Sequence, residues 1–257
     1  MEERTHGIVL RKVRYNDTGM IVDIFTASRG TVSFLAKTGK GSRLRAPLLT
    51  PLAIVDIRFR WRQQRPLQLL DDVQTAMPYT ALGMDPVRTS VALFLQEFLY
   101  HTLKNEVANE ALFDYVTQSM RILDEATDGL ANFHLAFMIR LTHYLGLWPR
   151  TENWQRGCML DLKEGVMTCH TPEHRFWVSA EDTSRIPILA RMTFSNMRYF
   201  RMNRAQRNTI LEGLITYYRL HVPEFPELRS VEILREIFAS RSPQRDDATA
   251  DSMPAVP

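Results

Sequence analysis

The sequence predicts an α+β protein: an N-terminal five-stranded OB-type β-barrel, then an α-helical domain carrying a small β-hairpin insert. Three observations predict it. Between Val55 and Trp61 apolar and charged residues alternate strictly, the signature of a strand with one buried face. From about Met84 onward apolar residues recur at helical spacing. Between Trp148 and Ser179 that spacing lapses. The expected boundaries are 1–80 for a nucleic-acid-binding barrel, 81–240 for the helical domain with an insert at 149–179, and 241–257 for a disordered tail.

Each barrel strand has a local reason. Ile8 to Val13 is a strand, and Arg14 to Gly19 is turn chemistry. Met20–Thr26 and Thr31–Ala36 follow, joined at Ser28-Arg29-Gly30. A Gly-, Lys- and Arg-rich loop reaches Arg45, with Pro47 and Pro51 after it. In the fourth strand Val55, Ile57, Phe59 and Trp61 face inward, and Asp56, Arg58, Arg60 and Arg62 face outward. Gln63 to Pro66 turns the chain into a fifth strand, Leu67–Val73. In OB folds the nucleic-acid groove lies between the first and last turns, here Arg14–Thr18 and Arg62–Pro66.

Charge divides unevenly. Residues 1–65 hold 13 Lys/Arg and 5 Asp/Glu, a net +8, whereas residues 66–257 net −5. A basic segment of this kind points to a polyanion. Arg11, Lys12, Arg14, Lys37, Lys40, Arg43, Arg58, Arg60 and Arg62 are the expected phosphate contacts, with Tyr15 as a stacking surface for bases. Trp61 goes by parity with the core. The Gly39-Lys40-Gly41-Ser42 loop is not a nucleotide-phosphate loop, because position 34 is Phe and position 41 is Gly where that pattern needs Gly and Ser or Thr.

The helical half opens on Asp85-Pro86, an N-cap followed by Pro at the first position. Helices are expected over about 86–103, 110–124, 130–147 (ended by Pro149), 183–199, 203–220 and 232–239. Arg198, Arg201, Arg204 and Arg207 cluster around Asn203 and either extend the basic surface or balance acidic helices. Cys158 and Cys169 sit near the ends of a hairpin turning at Lys163-Glu164-Gly165. With His170 and His174 they raise a zinc question, weakened by the absence of any Cys-x-x-Cys. Two cysteines give no disulfide framework and fit a reducing compartment, and no apolar run is long enough to span a membrane.

The runs Gly7–Arg11, Tyr15–Thr18, Ile21–Thr26 and Gly30–Phe34 resemble the opening of the bacterial RecO recombinational repair family. Asn132–Phe137 with Leu145-Gly146-Leu147 resembles its central helix, and Phe200–Arg204 and Tyr217–Pro223 resemble later helices of its Bacteroidetes members. The resemblance implies a cytoplasmic, nucleoid-associated protein without catalytic chemistry or cofactor. It also implies binding of single- and double-stranded DNA, annealing of complementary strands, and association with RecR and with the C-terminal tail of single-stranded-DNA-binding protein. For that acidic, aromatic-ended tail Phe94, Phe98, Phe133 and Leu141 with Arg140 are the candidate lining of an apolar, cation-flanked pocket. Through these, it implies assistance to RecA loading on coated strands in the RecF pathway. Many members carry two Cys-x-x-Cys pairs for zinc, of which only Cys158 and Cys169 stand in this region, so the resemblance makes 149–179 a degenerate zinc-finger-like insert in which zinc is not expected. The alternative from residues alone is a metal-dependent phosphodiester hydrolase using Asp71 and Asp72, although adjacent strand residues point to opposite faces.

Overall fold

The barrel closes because one strand is long enough to serve two neighbours. The computed structural model describes residues 2–37, 44 and 46–240, of Ser240 only the backbone; Lys40, Arg43 and the expected tail 241–257 lie outside them. Strands β1 (Glu2–Asn16), β2 (Gly19–Thr26), β3 (Gly30–Lys37), β4 (Ile54–Arg60) and β5 (Leu67–Met77) form a closed barrel in the order β1-β2-β3-β5-β4. The first half of β1 pairs with β4 and the second with β2, with irregularities after Val9 and Arg14. β5 runs parallel to β3 and antiparallel to β4. β1 starts six residues before the expected Ile8, at Glu2, because its polar N-terminal half is held by ladder bonds to β4 rather than by an apolar pattern.

Parity holds inside. Val22, Ile24, Phe34, Val55, Ile57 and Phe59 fill the barrel, with Phe34 edge-on to Phe59 at 5.0 Å. Truncating Phe59 to Ala would cost about 3–5 kcal/mol. Trp61 packs at the rim of this core, and the Arg29 guanidinium lies 4.6 Å from its ring centroid.

One side of the barrel's outer wall is covered by helices. Ile8, Leu10, Phe25, Leu52 and Ile54 join the core of helices α1 (Pro86–Leu103), α2 (Glu110–Glu125) and α3 (Leu130–Tyr144). Gly30, at φ 71°, lets the β2–β3 turn press against the backbone of Glu106 and Val107, where an added Cβ would collide. Thr31 fixes that junction, its N–H donating to the Glu106 carbonyl at 2.9 Å and its hydroxyl to that of Leu103 at 2.6 Å.

Helix ends follow their caps. The Asp85 carboxylate accepts from the N–H groups of Val87 and Arg88 at 2.8 and 2.9 Å. α3 ends at Tyr144, short of Pro149, because Gly146 turns left-handed at φ 67°. The insert forms a three-stranded sheet, β6 (Met159–Asp161), β7 (Val166–Thr168) and β8 (Trp177–Val178).

The helix expected over 183–199 does not form. Two four-residue turns, α4 (Ala180–Thr183) and α5 (Ile186–Leu189), and a 3-10 turn at Met197–Tyr199 replace it. Pro187 lies inside the segment. Asn196 takes its backbone partners locally: its side chain accepts from Thr193 N–H at 2.7 Å and donates to the Arg191 carbonyl at 2.9 Å. α6 (Arg204–His221) opens on a capping box between Asn203 and Gln206, and α7 (Ser230–Ser240) packs on α1.

Candidate nucleic-acid interface

Ladder register places an apolar row on the barrel's outer wall, outside the core shared with the helices. Val13 pairs with Ile21, Ile21 with Leu35, Leu35 with Leu69, and Leu69 with Arg60. All point outward, none belongs to a core cluster, and Val13 and Leu69 are each 40 % exposed. β1 leaves this row toward the Asp17-Thr18 turn, and β4 leaves it toward Arg62–Pro66. Because β1, β3 and β5 run one way and β4 the other, the two turns flank the row from opposite sides.

Cations stand on both flanks. Lys12, Arg14 and Tyr15 are exposed on the β1–β2 hairpin, Tyr15 at 60 %, and exposed Lys37 ends β3 opposite Gly19. The β4–β5 turn is a shallow polar concavity lined by Arg62, Gln63, Gln64 and Arg65. Buried Gln68 holds its backbone, accepting from Arg62 N–H at 2.9 Å and donating to the carbonyls of Arg62 and Arg65. Arg65 and Gln68 were not among the sequence candidates; a buried amide bonding to a turn has no periodic signal.

Several expected phosphate contacts are already paired. Arg58 and Arg60 project outward, as parity requires, and no helix covers them. However, Arg58 lies 3.5 Å from Glu2 and 3.9 Å from Asp72, and Arg60 lies 3.5 Å from Asp71. Arg4 binds Asp56, whose carboxyl those hydrogen bonds hold below the usual range. Three guanidinium groups thus meet four carboxylates, and this face is not the cationic strip that the alternation suggests. Arg14 pairs with Asp17 at 2.6 Å. Arg11 is turned to the helical domain, donating to the Tyr100 hydroxyl at 2.5 Å and lying 5.0 Å from that ring's centroid. Lys12, Arg62 and Arg65 face no carboxylate within salt-bridge distance among the described residues. Asp71 and Asp72 are engaged by the two arginines, and among the described residues no three His, Cys, Asp or Glu gather as a metal site.

The pocket expected on the helices is corrected. Phe94, Phe98, Phe133 and Leu141 are fully buried, because the barrel, α6 and α7 close over the stripe they form. Only Arg140 keeps partial exposure. An apolar cavity of about 120 Å³ lies elsewhere, between α3, α5, α6 and the insert. Ile139, Leu160, Ile186, Leu189 and Leu214 line it, with Arg185 beside them.

The cysteines are not separate thiols. Met159 pairs with Thr168, so Cys158 and Cys169 stand opposite one another, and a disulfide joins them with Cα atoms 4.3 Å apart. Their sulfurs are thereby taken from any zinc site. His174 instead lies 3.3 Å from Asp161, and His170 is exposed. His134 is buried between the Phe94 and Phe238 rings, and burial pushes its pKa down to about 3, aided by Arg207. It is a neutral core residue.

Comparison with known proteins gives the family. The description "Recombination protein O N terminal" matches residues 1–79 and "Recombination protein O C terminal" matches residues 84–230. The chain belongs to the RecO family. A "DNA repair protein RecO" of Phocaeicola vulgatus is 38 % identical over 241 residues, 93 % of this chain and 100 % of that protein. RecO proteins of Bacteroides fragilis and Porphyromonas gingivalis are 35 % and 34 % identical, covering 93 % and 91 % of this chain and 100 % and 98 % of theirs. The five-stranded barrel followed by helices is the fold expected of a RecO chain, and the family is one of DNA repair. No helix among the described residues is long and apolar enough to cross a membrane.

Proposed function

We propose that this chain is a non-enzymatic recombination mediator that binds single- and double-stranded DNA and anneals complementary strands. The observation that carries this reading is the apolar row Val13–Ile21–Leu35–Leu69, flanked by the β1–β2 hairpin with Lys12 and Arg14 and by the β4–β5 turn with Arg62 and Arg65. Base faces lie on the row while the flanking cations neutralise phosphates, an arrangement that holds a strand without reading its sequence. Arg58 and Arg60 contribute less than Lys12, Arg62 and Arg65, because the carboxylates beside them offset their field.

The remaining partners follow from the family reading. The cavity between α3, α5 and α6 receives the acidic, aromatic-ended tail of single-stranded-DNA-binding protein, its apolar walls taking the ring and Arg185 the carboxylate. RecR associates with the chain, and RecA is served indirectly by clearing coated strands in the bacterial cytoplasm. Titrating labelled single- and double-stranded DNA across a salt series tests the reading. Affinity should fall steeply between about 50 and 300 mM salt, with a log–log slope of several units. A flat response, or no binding at low salt, sinks it.

A further inference from the structure

We propose that the segment from Arg191 to Arg204 forms a second phosphate-binding surface, on the helical domain, which holds a second nucleic-acid strand while the barrel holds the first. Between Asp182 and Glu212 the chain has six arginines and no acidic residue. The rest of residues 66–257 nets −11, so this is a cationic island in an acidic domain.

The segment is built as a platform. Phe194 stacks on Phe133 at 4.7 Å, Met197 is buried, and Phe200 and Met202 pack against the same core. Asn132 of α3 donates to the carbonyls of Met197 and Phe200 at 2.9 and 2.8 Å. With the apolar residues turned in, Arg191, Arg198, Arg201 and Arg204 are exposed. Of these four only Arg198 has a carboxylate partner among the described residues, Asp128 at 3.3 Å. Tyr199 is 67 % exposed, and Arg198 holds it, donating to its hydroxyl at 2.6 Å and lying 4.7 Å from the ring centroid. Arg204 stands in the first turn of an 18-residue helix, where a cation opposes the helix dipole and costs stability. Exposed guanidinium groups beside a propped aromatic ring suit a phosphate backbone and the face of an unpaired base. A protein pair would instead bring carboxylates to these arginines.

The inference rests on the reading that the ligand is nucleic acid and that the barrel holds one strand of it. Its test is strand bridging by the full chain. Two non-complementary oligonucleotides, one carrying a donor dye and one an acceptor, are mixed with the protein at low salt. Arg191→Gln/Arg201→Gln/Arg204→Gln should bind one strand within about twofold of wild type and lose bridging by at least about tenfold. The triple Lys variant should restore bridging, and Tyr199→Ser should weaken it about tenfold for single strands but not for duplex. Bridging by the Gln variant at the wild-type level, with its melting temperature unchanged, overturns the proposal. So does a variant that keeps bridging but loses capture of an acidic peptide, since the surface then serves protein. If wild type binds no DNA at all, the functional reading itself fails.

Discussion

On the barrel, Arg4, Arg14, Arg29, Arg58 and Arg60 each face a carboxylate, whereas on the helical domain Arg191, Arg201 and Arg204 face none among the described residues. Counted along the chain the ranking is the reverse: residues 1–65 carry +8 and the remainder −5. A phosphate responds to the local field and not to a segment's sum, and that field is set by where the neighbouring acids stand. The barrel therefore offers a polyanion its two flanking turns rather than its arginine-bearing strand. The helical domain, acidic in total, offers one basic platform.

The sharpest way to break this comparison is charge reversal on the barrel turns. Lys12→Glu/Arg62→Glu/Arg65→Glu should lower single-strand affinity about a hundredfold or more at low salt, read by anisotropy. Arg58→Gln/Arg60→Gln, removing charge already offset, should cost less than about threefold. Equal losses from the two variants would mean that the ion pairs open for DNA. The comparison also needs the two bodies held together at Gly30. Gly30→Ala forces a side chain to φ 71° against the Glu106 backbone and should lower stability by about 2 kcal/mol or more, seen as a drop in melting temperature.

Acid tests the rear of the helical platform, where Arg207 opposes a proton on His134. The folded-state pKa of His134 is depressed to about 3, below its ordinary 6.5. Its contribution to stability is whole above pH 6.5 and declines as pH falls toward 3, because only the unfolded chain takes up the proton, at up to about 1.4 kcal/mol per pH unit. His134→Phe should flatten urea-derived stability across that window; an unchanged slope would assign the acid sensitivity elsewhere. The Asp124 carboxylate acts in the same direction. Burial raises its pKa, but bonds from Thr80, Ala81 and Leu82 outweigh that and hold it low. The row itself gives a more modest effect than charge reversal at the turns. Leu35→Ser/Leu69→Ser should narrow the preference for single strands over duplex by roughly three- to tenfold while leaving salt dependence intact.

Much of the fold was legible because strand and cap signals are local. The alternation at 55–61 placed Ile57 and Phe59 inside and Arg58 and Arg60 outside, and Asp85 capped α1. The helical stripe Phe94, Phe98, Phe133 and Leu141 was legible as apolar, but not whether it would be left open or covered. The expected helix over 183–199 failed because apolar spacing says nothing of Asn196 bonding to its own backbone neighbours. The apolar row has no linear signal, because its members, Val13, Ile21, Leu35 and Leu69, are scattered over 57 positions and meet only through ladder register.

By itself the sequence determined which side chains point into the barrel, the order of strands and helices, and a total of charge for each segment. Those depend on backbone periodicity and capping, which act within a few residues. Tertiary structure alone decided which charges remain open to a ligand. Asp56, Asp71 and Asp72 reach Arg4, Arg58 and Arg60 through pairings between strands, and Cys158 meets Cys169 in the same manner. Coulomb energy depends on distance in space, and no period in a chain encodes that distance.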